Sequence, residues 1–252
     1  MKHFLSRENA EVLAQLAWSN VLLAFDFDGT LAPIVSERDR AEMRRRTAQL
    51  LARLCTFYPC AIISGRSQDD VSARLNGVSV KYVVGNHGLE PGEGLAEFEQ
   101  KIGQARGILE KSLVAWTGVD IEDKRYSLAI HYRRSREKRL TREAIHNAVS
   151  ALPMPMRTVP GKLVVNVIPE RAPNKGDALV ELRKIEKADT ALYVGDDVTD
   201  EDVFELDQPG RLLAVRVGES RTSGAAYFLR DQNEIDELLS RLVALGERRL
   251  TR

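Results

Sequence analysis

Apolar residues recur along this chain in two rhythms. Short unbroken runs, Val21-Leu22-Leu23-Ala24-Phe25, Cys60-Ala61-Ile62-Ile63, and the stretches 80–84 and 191–194, have strand length. Their β character is that of strands buried on both faces of a sheet. Polar stretches with helical apolar spacing lie between them: Val12, Leu13 and Leu16 within 8–18, and Met43, Leu50, Leu51 and Leu54 within 41–54. Arg44, Arg45 and Arg46 read as the solvated face of that second helix. A helix start at Ser67 with Asp70 three residues on has the capping-box spacing, and Asp69 and Asp70 suit its positive end. Further helical patterns cover 174–186 and 233–245, and late strands cover 211–217 and 227–229. Strand and helix in alternation predict an α/β fold, a Rossmann-like parallel-sheet core.

Between 89 and 173 the rhythm changes. A Gly/Pro-rich linker leads to a helix over 97–116, an alternating strand over 125–134, a helix over 140–152 and two strands, 156–159 and 162–168, around Pro160-Gly161. Leu128, Ile130 and Tyr132 fall on one face of the alternating strand. Adjacent strands with their own helices predict an inserted α+β cap domain over 89–173. The core then comprises 1–88 and 174–252.

Polar groups cluster where the apolar runs stop. The first run ends in Asp26-Phe27-Asp28-Gly29-Thr30. On an extended backbone residues i and i+2 point the same way, and Gly29 frees the chain to turn. Asp28-Gly29 alone reads equally well as a simple turn. A buried strand ending in two acids is costly unless they are neutralised, and a hard cation held by oxygen ligands would do it. The second run ends in Ser64-Gly65-Arg66, a hydroxyl and a backbone N–H beside a helix start, which suits an anion. The third ends in Gly85-Asn86-His87-Gly88, whose bracketing glycines indicate a backbone with special torsions near a ligand. Lys175 opens a helix against the macrodipole, an arrangement that makes sense if its ammonium neutralises an anion. The fourth run ends in an acidic segment, Gly195-Asp196-Asp197-Val198-Thr199-Asp200-Glu201-Asp202, with Asp196 the best further metal ligand. Ligands of open α/β sheets bind outside the carboxyl ends of the strands, so these groups would converge.

Composition narrows the function classes. At 252 residues, with 37 Lys and Arg against 37 Asp and Glu, the chain carries no net charge. Nothing global draws it to nucleic acid or an acidic membrane. Cys55 and Cys60 are too few for a disulfide framework and read as core thiols of a reducing compartment. No run approaches a membrane span and residues 1–20 lack a signal core, so the expectation is a soluble, cytoplasmic protein; a monomer is a separate expectation that these features do not decide. No G-x-G-x-x-G follows the first strand, which argues against a dinucleotide enzyme.

The first motif resembles that of the haloacid dehalogenase superfamily of aspartate-nucleophile phosphatases. Asp-Phe-Asp-Gly-Thr-Leu, Ser-Gly-Arg, Gly-Asn-His-Gly, Asn-Lys-Gly and Gly-Asp-Asp-x-Thr-Asp-Glu, in this order, are similar to the trehalose-6-phosphate phosphatase family. The resemblance implies Asp26 as nucleophile and Asp28 as acid and base, with Ser64, Gly65 and Lys175 binding phosphate. It implies Mg²⁺ held by Asp26, Asp28 and Asp196 with Asp200 in support, and a small sugar phosphate as partner. Arg66, Asn86 and His87 would belong to the substrate site, with Lys124, Arg133, Lys162 and Asn166 facing the sugar from the cap. Asn166 stands where the family usually has Glu, a departure that leaves open a related phosphatase for another sugar phosphate. A non-catalytic sugar-phosphate-binding module is the reading from a different class.

Overall fold

The structure, a computed structural model, describes all residues except 36, 162, 207, 208 and 252. The chain forms two compact units, one of Met1–Gly88 with Asn174–Arg252 and one of Leu89–Pro173.

The first unit is built on a parallel seven-stranded sheet. Its strands are β1 (Lys2–His3), β2 (Val21–Phe25), β3 (Cys60–Ile63), β4 (Tyr82–Val84), then β9 (Thr190–Gly195), β10 (Leu212–Val217) and β11 (Tyr227–Leu229). They lie in the order β1-β11-β10-β9-β2-β3-β4. Strands β2 and β9, whose ends carry the acids, are therefore neighbours, with Phe25 in register with Val194. β2 is buried along its whole length, and its side chains alternate between two apolar layers. Val21, Leu23 and Phe25 pack with residues of α1 (Ala10–Trp18), α2 (Arg45–Leu54) and α8 (Glu234–Leu250), including Leu13, Leu51, Leu54 and Leu238. Leu22 and Ala24 pack on the other side against Leu179 and Leu182 of α6 (Lys175–Glu186) and Val203 and Phe204 of the short α7 (Glu201–Phe204). Helices on both faces explain why these strands are continuously apolar.

Several boundaries move for identifiable reasons. The second helix starts at Arg45 rather than at 41, and Arg44 is not a solvated residue: its guanidinium donates to Asn233 and to the Gln232 carbonyl. Helix α3 (Gln68–Arg74) is capped by the Ser67 hydroxyl, which accepts from the Asp70 N–H. The Asp70 carboxylate does not complete a capping box, because Arg66 and Arg74 occupy it. Asn174 and Asp177 do form the reciprocal box, at the start of α6.

The second unit holds an antiparallel sheet in the order β5-β6-β8-β7. These are β5 (Asp120–Asp123), β6 (Leu128–His131), β7 (Met156–Gly161) and β8 (Val164–Pro169). Helices α4 (Leu95–Ser112) and α5 (Lys138–Ser150) cover one face, Ile102, Leu109 and Ile145 meeting Leu128, Ile130 and Val167. The alternating strand is shorter than its pattern, because Arg125 adopts φ 71° and the chain turns there before Leu128. No helix of the described residues is long and apolar enough to cross a membrane.

Candidate active site

The carboxyl ends of β2, β3, β4 and β9 bring most of the core motifs together. The chain leaves β2 with the Asp26 N–H still bonded to the Val194 carbonyl at 2.8 Å, which ties the first acid to the strand carrying the last ones. Gly29 then turns back at φ 83°, its N–H bonding to the Ala32 carbonyl at 2.7 Å. A Cβ at Gly29 would lie 2.1 Å from the Asp196 carboxylate, so only glycine lets the β2 loop close this tightly on the β9 loop.

Lys175 is the centre of charge. Its side chain is 2 % exposed, and its ammonium donates to Asp26 at 2.9 Å and to Asp200 at 2.8 Å. Burial works against a charged lysine, yet Asp200 and Asp26 together hold the Lys175 pKa above its ordinary value. A helix start opposing its own lysine is thus explained by two buried carboxylates. Asp200 is completely buried and also accepts from the Tyr193 hydroxyl at 2.7 Å and from the Asp197 N–H at 2.9 Å. Burial pushes Asp26 well above the usual carboxylate range; Lys175 pulls it back, while Asp200 and Asp196 push it further up. Burial, with Asp200 and Asp197 beside it, pushes Asp196 up to about 7.

Asp26, Asp196 and Asp200 each offer a carboxylate oxygen within 4.8 Å of the others. Asp196 Oδ1 is buried without a hydrogen-bond partner among the described residues. An orphaned carboxylate oxygen next to two more acids is a donor set for a hard divalent cation, so these residues fit the metal that the motifs imply.

Asp28 sits differently. Arg66 grips it with two parallel bonds, Nε to Oδ2 at 2.6 Å and Nη2 to Oδ1 at 2.8 Å. The guanidinium is 2 % exposed and also donates to Asp70 at 2.7 Å, and Asp70 in turn accepts from Arg74 at 2.9 Å. Burial of Asp70 is outweighed by Arg66 and Arg74, which hold its pKa below the usual range. Arg66 therefore faces inward onto Asp28, not outward to open space.

Ser64 is buried, and its Oγ accepts from the Arg66 N–H at 3.2 Å. Asn86 and His87 are buried with φ 48° and 60°, left-handed torsions within the segment whose bracketing glycines indicate a special backbone. The His87 N–H bonds to the Ser64 carbonyl and the Asn86 N–H to the Arg66 carbonyl. The His87 ring lies so close over Gly65 that a Cβ there would be 2.4 Å from it. These two residues brace the Ser64-Gly65-Arg66 loop. In the second unit Asn166 is nearly buried and donates weakly to the Val159 carbonyl at 3.4 Å, Lys124 is half-buried and Arg133 is exposed. Lys162 lies outside the described residues.

Sequence reasoning missed Tyr193, which reads as one more apolar residue of a buried strand. It also missed the Arg66–Asp70–Arg74 ladder, although its i, i+4, i+8 spacing is visible in the sequence.

A doubly covered parallel sheet with this carboxylate and lysine cluster at its carboxyl edge defines a member of the haloacid dehalogenase superfamily. The trehalose-phosphatase family profile matches residues 24–232. The chain is 30% identical over 255 residues to probable trehalose-phosphate phosphatase 4 of Oryza sativa subsp. japonica, across 92% of this chain and 68% of that one. It is 32% identical over 244 residues to the trehalose-phosphate phosphatase of Mycolicibacterium paratuberculosis, across 91% of this chain and 60% of that one. The solved C-terminal domain of C. albicans trehalose-6-phosphate phosphatase has the same fold, with a TM-score of 0.76 at 24% identity over 94% of this chain and 97% of that one. The chain belongs to the trehalose-phosphatase family and is a phosphoric monoester hydrolase.

Proposed function

We propose that the protein hydrolyses trehalose 6-phosphate to trehalose and phosphate through an aspartyl-phosphate on Asp26. The observation that carries this reading is the meeting of Asp26, Asp196 and Asp200 within 4.8 Å, with the buried Lys175 ammonium bonded to two of them. Phosphoryl transfer needs an in-line nucleophile, cations on the phosphoryl oxygens and an acid for the leaving group. The Asp26 carboxylate, oriented by Lys175, forms a bond to phosphorus as the sugar oxygen leaves. Asp28 gives that oxygen its proton, then takes one from the water that hydrolyses the acyl phosphate. Ser64 Oγ, the Gly65 N–H and the remaining donor of Lys175 address the phosphoryl oxygens. Arg66 aims Asp28 by its two-pronged grip, which opens at one oxygen when Asp28 carries the proton. Asp26, Asp196 and the Asp28 carbonyl would hold Mg²⁺, with Asp200 supporting them, and the bound ion would add positive charge where the phosphoryl oxygens gather.

The test is phosphate release from trehalose 6-phosphate with and without EDTA. Chelation is expected to abolish it and Asp26→Asn to remove essentially all turnover; equal rates in either comparison would refute the reading. A second reading, a phosphatase for another sugar phosphate, is favoured by Asn166 alone. A panel of sugar phosphates separates the two by kcat/KM. That Lys124, Arg133, Lys162 and Asn166 contribute to sugar binding is part of the same proposal.

A further inference from the structure

We infer that Tyr193 is a positioning residue whose hydroxyl sets how the Lys175 ammonium is shared between Asp200 and the nucleophile Asp26. The inference rests on the catalytic reading of Asp26 and Lys175 just given.

Tyr193 lies in the middle of β9, fully buried among apolar residues of the sheet face that packs on α6 and α7. Its register partners are Ala24 on β2 and Ala214 on β10. Two small neighbours on the same face open the slot that the aromatic ring fills. Phe204 closes the slot edge-on, with ring centroids 6.0 Å apart. Packing alone would be served by phenylalanine, since a hydroxyl buried in such surroundings is costly unless bonded. The bond it makes is to Asp200 Oδ1 at 2.7 Å, the same oxygen that accepts from Lys175 at 2.8 Å. The other carboxylate oxygen is taken by the Asp197 N–H.

Asp200 Oδ1 therefore divides its acceptor capacity between a phenol and an ammonium, and the ammonium divides its hydrogens between Asp200 and Asp26. In a buried site each such bond polarises the next. Removing the phenol leaves Oδ1 richer in electron density with one donor, and Lys175 is drawn toward Asp200. Asp26 then loses the contact that orients it. Burial and the nearby Asp200 also keep the phenol protonated, as a donor must be.

The experiment uses the full chain and compares wild type with Tyr193→Phe by steady-state kinetics on the sugar phosphate and by the ¹⁵Nζ resonance of Lys175. A fall in kcat of tenfold or more, KM within about threefold and a displaced Lys175 resonance are expected. A purely structural role would leave both kcat and the resonance alone. An unchanged resonance, or kcat within twofold of wild type, overturns the inference. If Tyr193→Phe does not fold, 3-fluorotyrosine at position 193 keeps the hydroxyl and alters its donor strength, and the same two readouts decide. Failure of the underlying reading looks different. There the wild type releases no phosphate or Asp26→Asn remains active, while the resonance still reports whether Tyr193 governs Lys175.

Discussion

Lys175 couples charge to stability at the scale of one residue. Removing its ammonium leaves Asp26 and Asp200 buried without a counter-charge, both of which it now neutralises at hydrogen-bond distance. Lys175→Met is therefore expected to cost about 3–5 kcal/mol in urea unfolding as well as abolishing turnover. Asp196 gives a pH signature of definite sign. Its folded-state pKa of about 7 lies above the ordinary 3.8, so between those values the folded protein holds a proton that the unfolded chain has lost. Unfolding free energy then falls as pH rises through this window. The contribution is present at low pH and gone above about 7. In EDTA, the melting temperature of wild type relative to Asp196→Asn should decline from pH 5 to pH 8. Mg²⁺ should reverse that trend, because the metal needs the ionised carboxylate, and Mg²⁺ affinity should weaken as pH drops below about 7.

Helix α3 works as a lever at the element scale. Arg66 and Arg74 both close on Asp70, Arg74 also holds the Asp39 and Ala41 carbonyls, and Arg66 holds Asp28. Asp70→Asn should weaken the Arg66 anchor and lower kcat by about tenfold through Asp28, with the sugar-phosphate KM little changed; unchanged kcat would remove Arg66 from its aiming role. The same ladder shows why some of the site was legible in the sequence and some was not. Asp26, Asp196 and Lys175 stand where an apolar run or a helix start makes a charge expensive or opposed, so their types and positions signal the cluster before any fold is known. The Ser64 hydroxyl and Gly65 N–H beside a helix start read as an anion site and Arg66 as a substrate contact, and only the fold reveals that the Arg66 guanidinium is engaged by Asp28. Tyr193 has no outward signal at all, because an aromatic residue in a buried strand looks like packing. β1 and β5 were invisible for another reason. One is two residues long and the other, Asp120-Ile-Glu-Asp, lacks an apolar run.

For the molecule as a whole, the closeness of Gly88 to Asn174 matters most. A Cβ on Gly88 would sit 2.2 Å from the Asn174 carbonyl oxygen, so the points where the second unit leaves and rejoins the first are side by side. Loop closure across such a gap costs little. Replacing residues 89–173 by a short Gly/Ser linker should leave a protein with one cooperative transition by circular dichroism and the α/β content of the first unit. Loss of that transition would mean the first unit does not fold by itself.

The strands at the margins of both sheets have a consequence in crowded or concentrated solution. The parallel sheet ends in β1, with two residues, and β4, with three. The antiparallel sheet ends in β5, rich in acids, and β7, which contains Pro160. Short, charged or proline-bearing margins give a foreign strand little to zip onto. Fibril and aggregate formation should therefore be slow for the native chain and should accelerate when Asp120 and Asp123 are exchanged for valine, as light scattering during prolonged incubation would report.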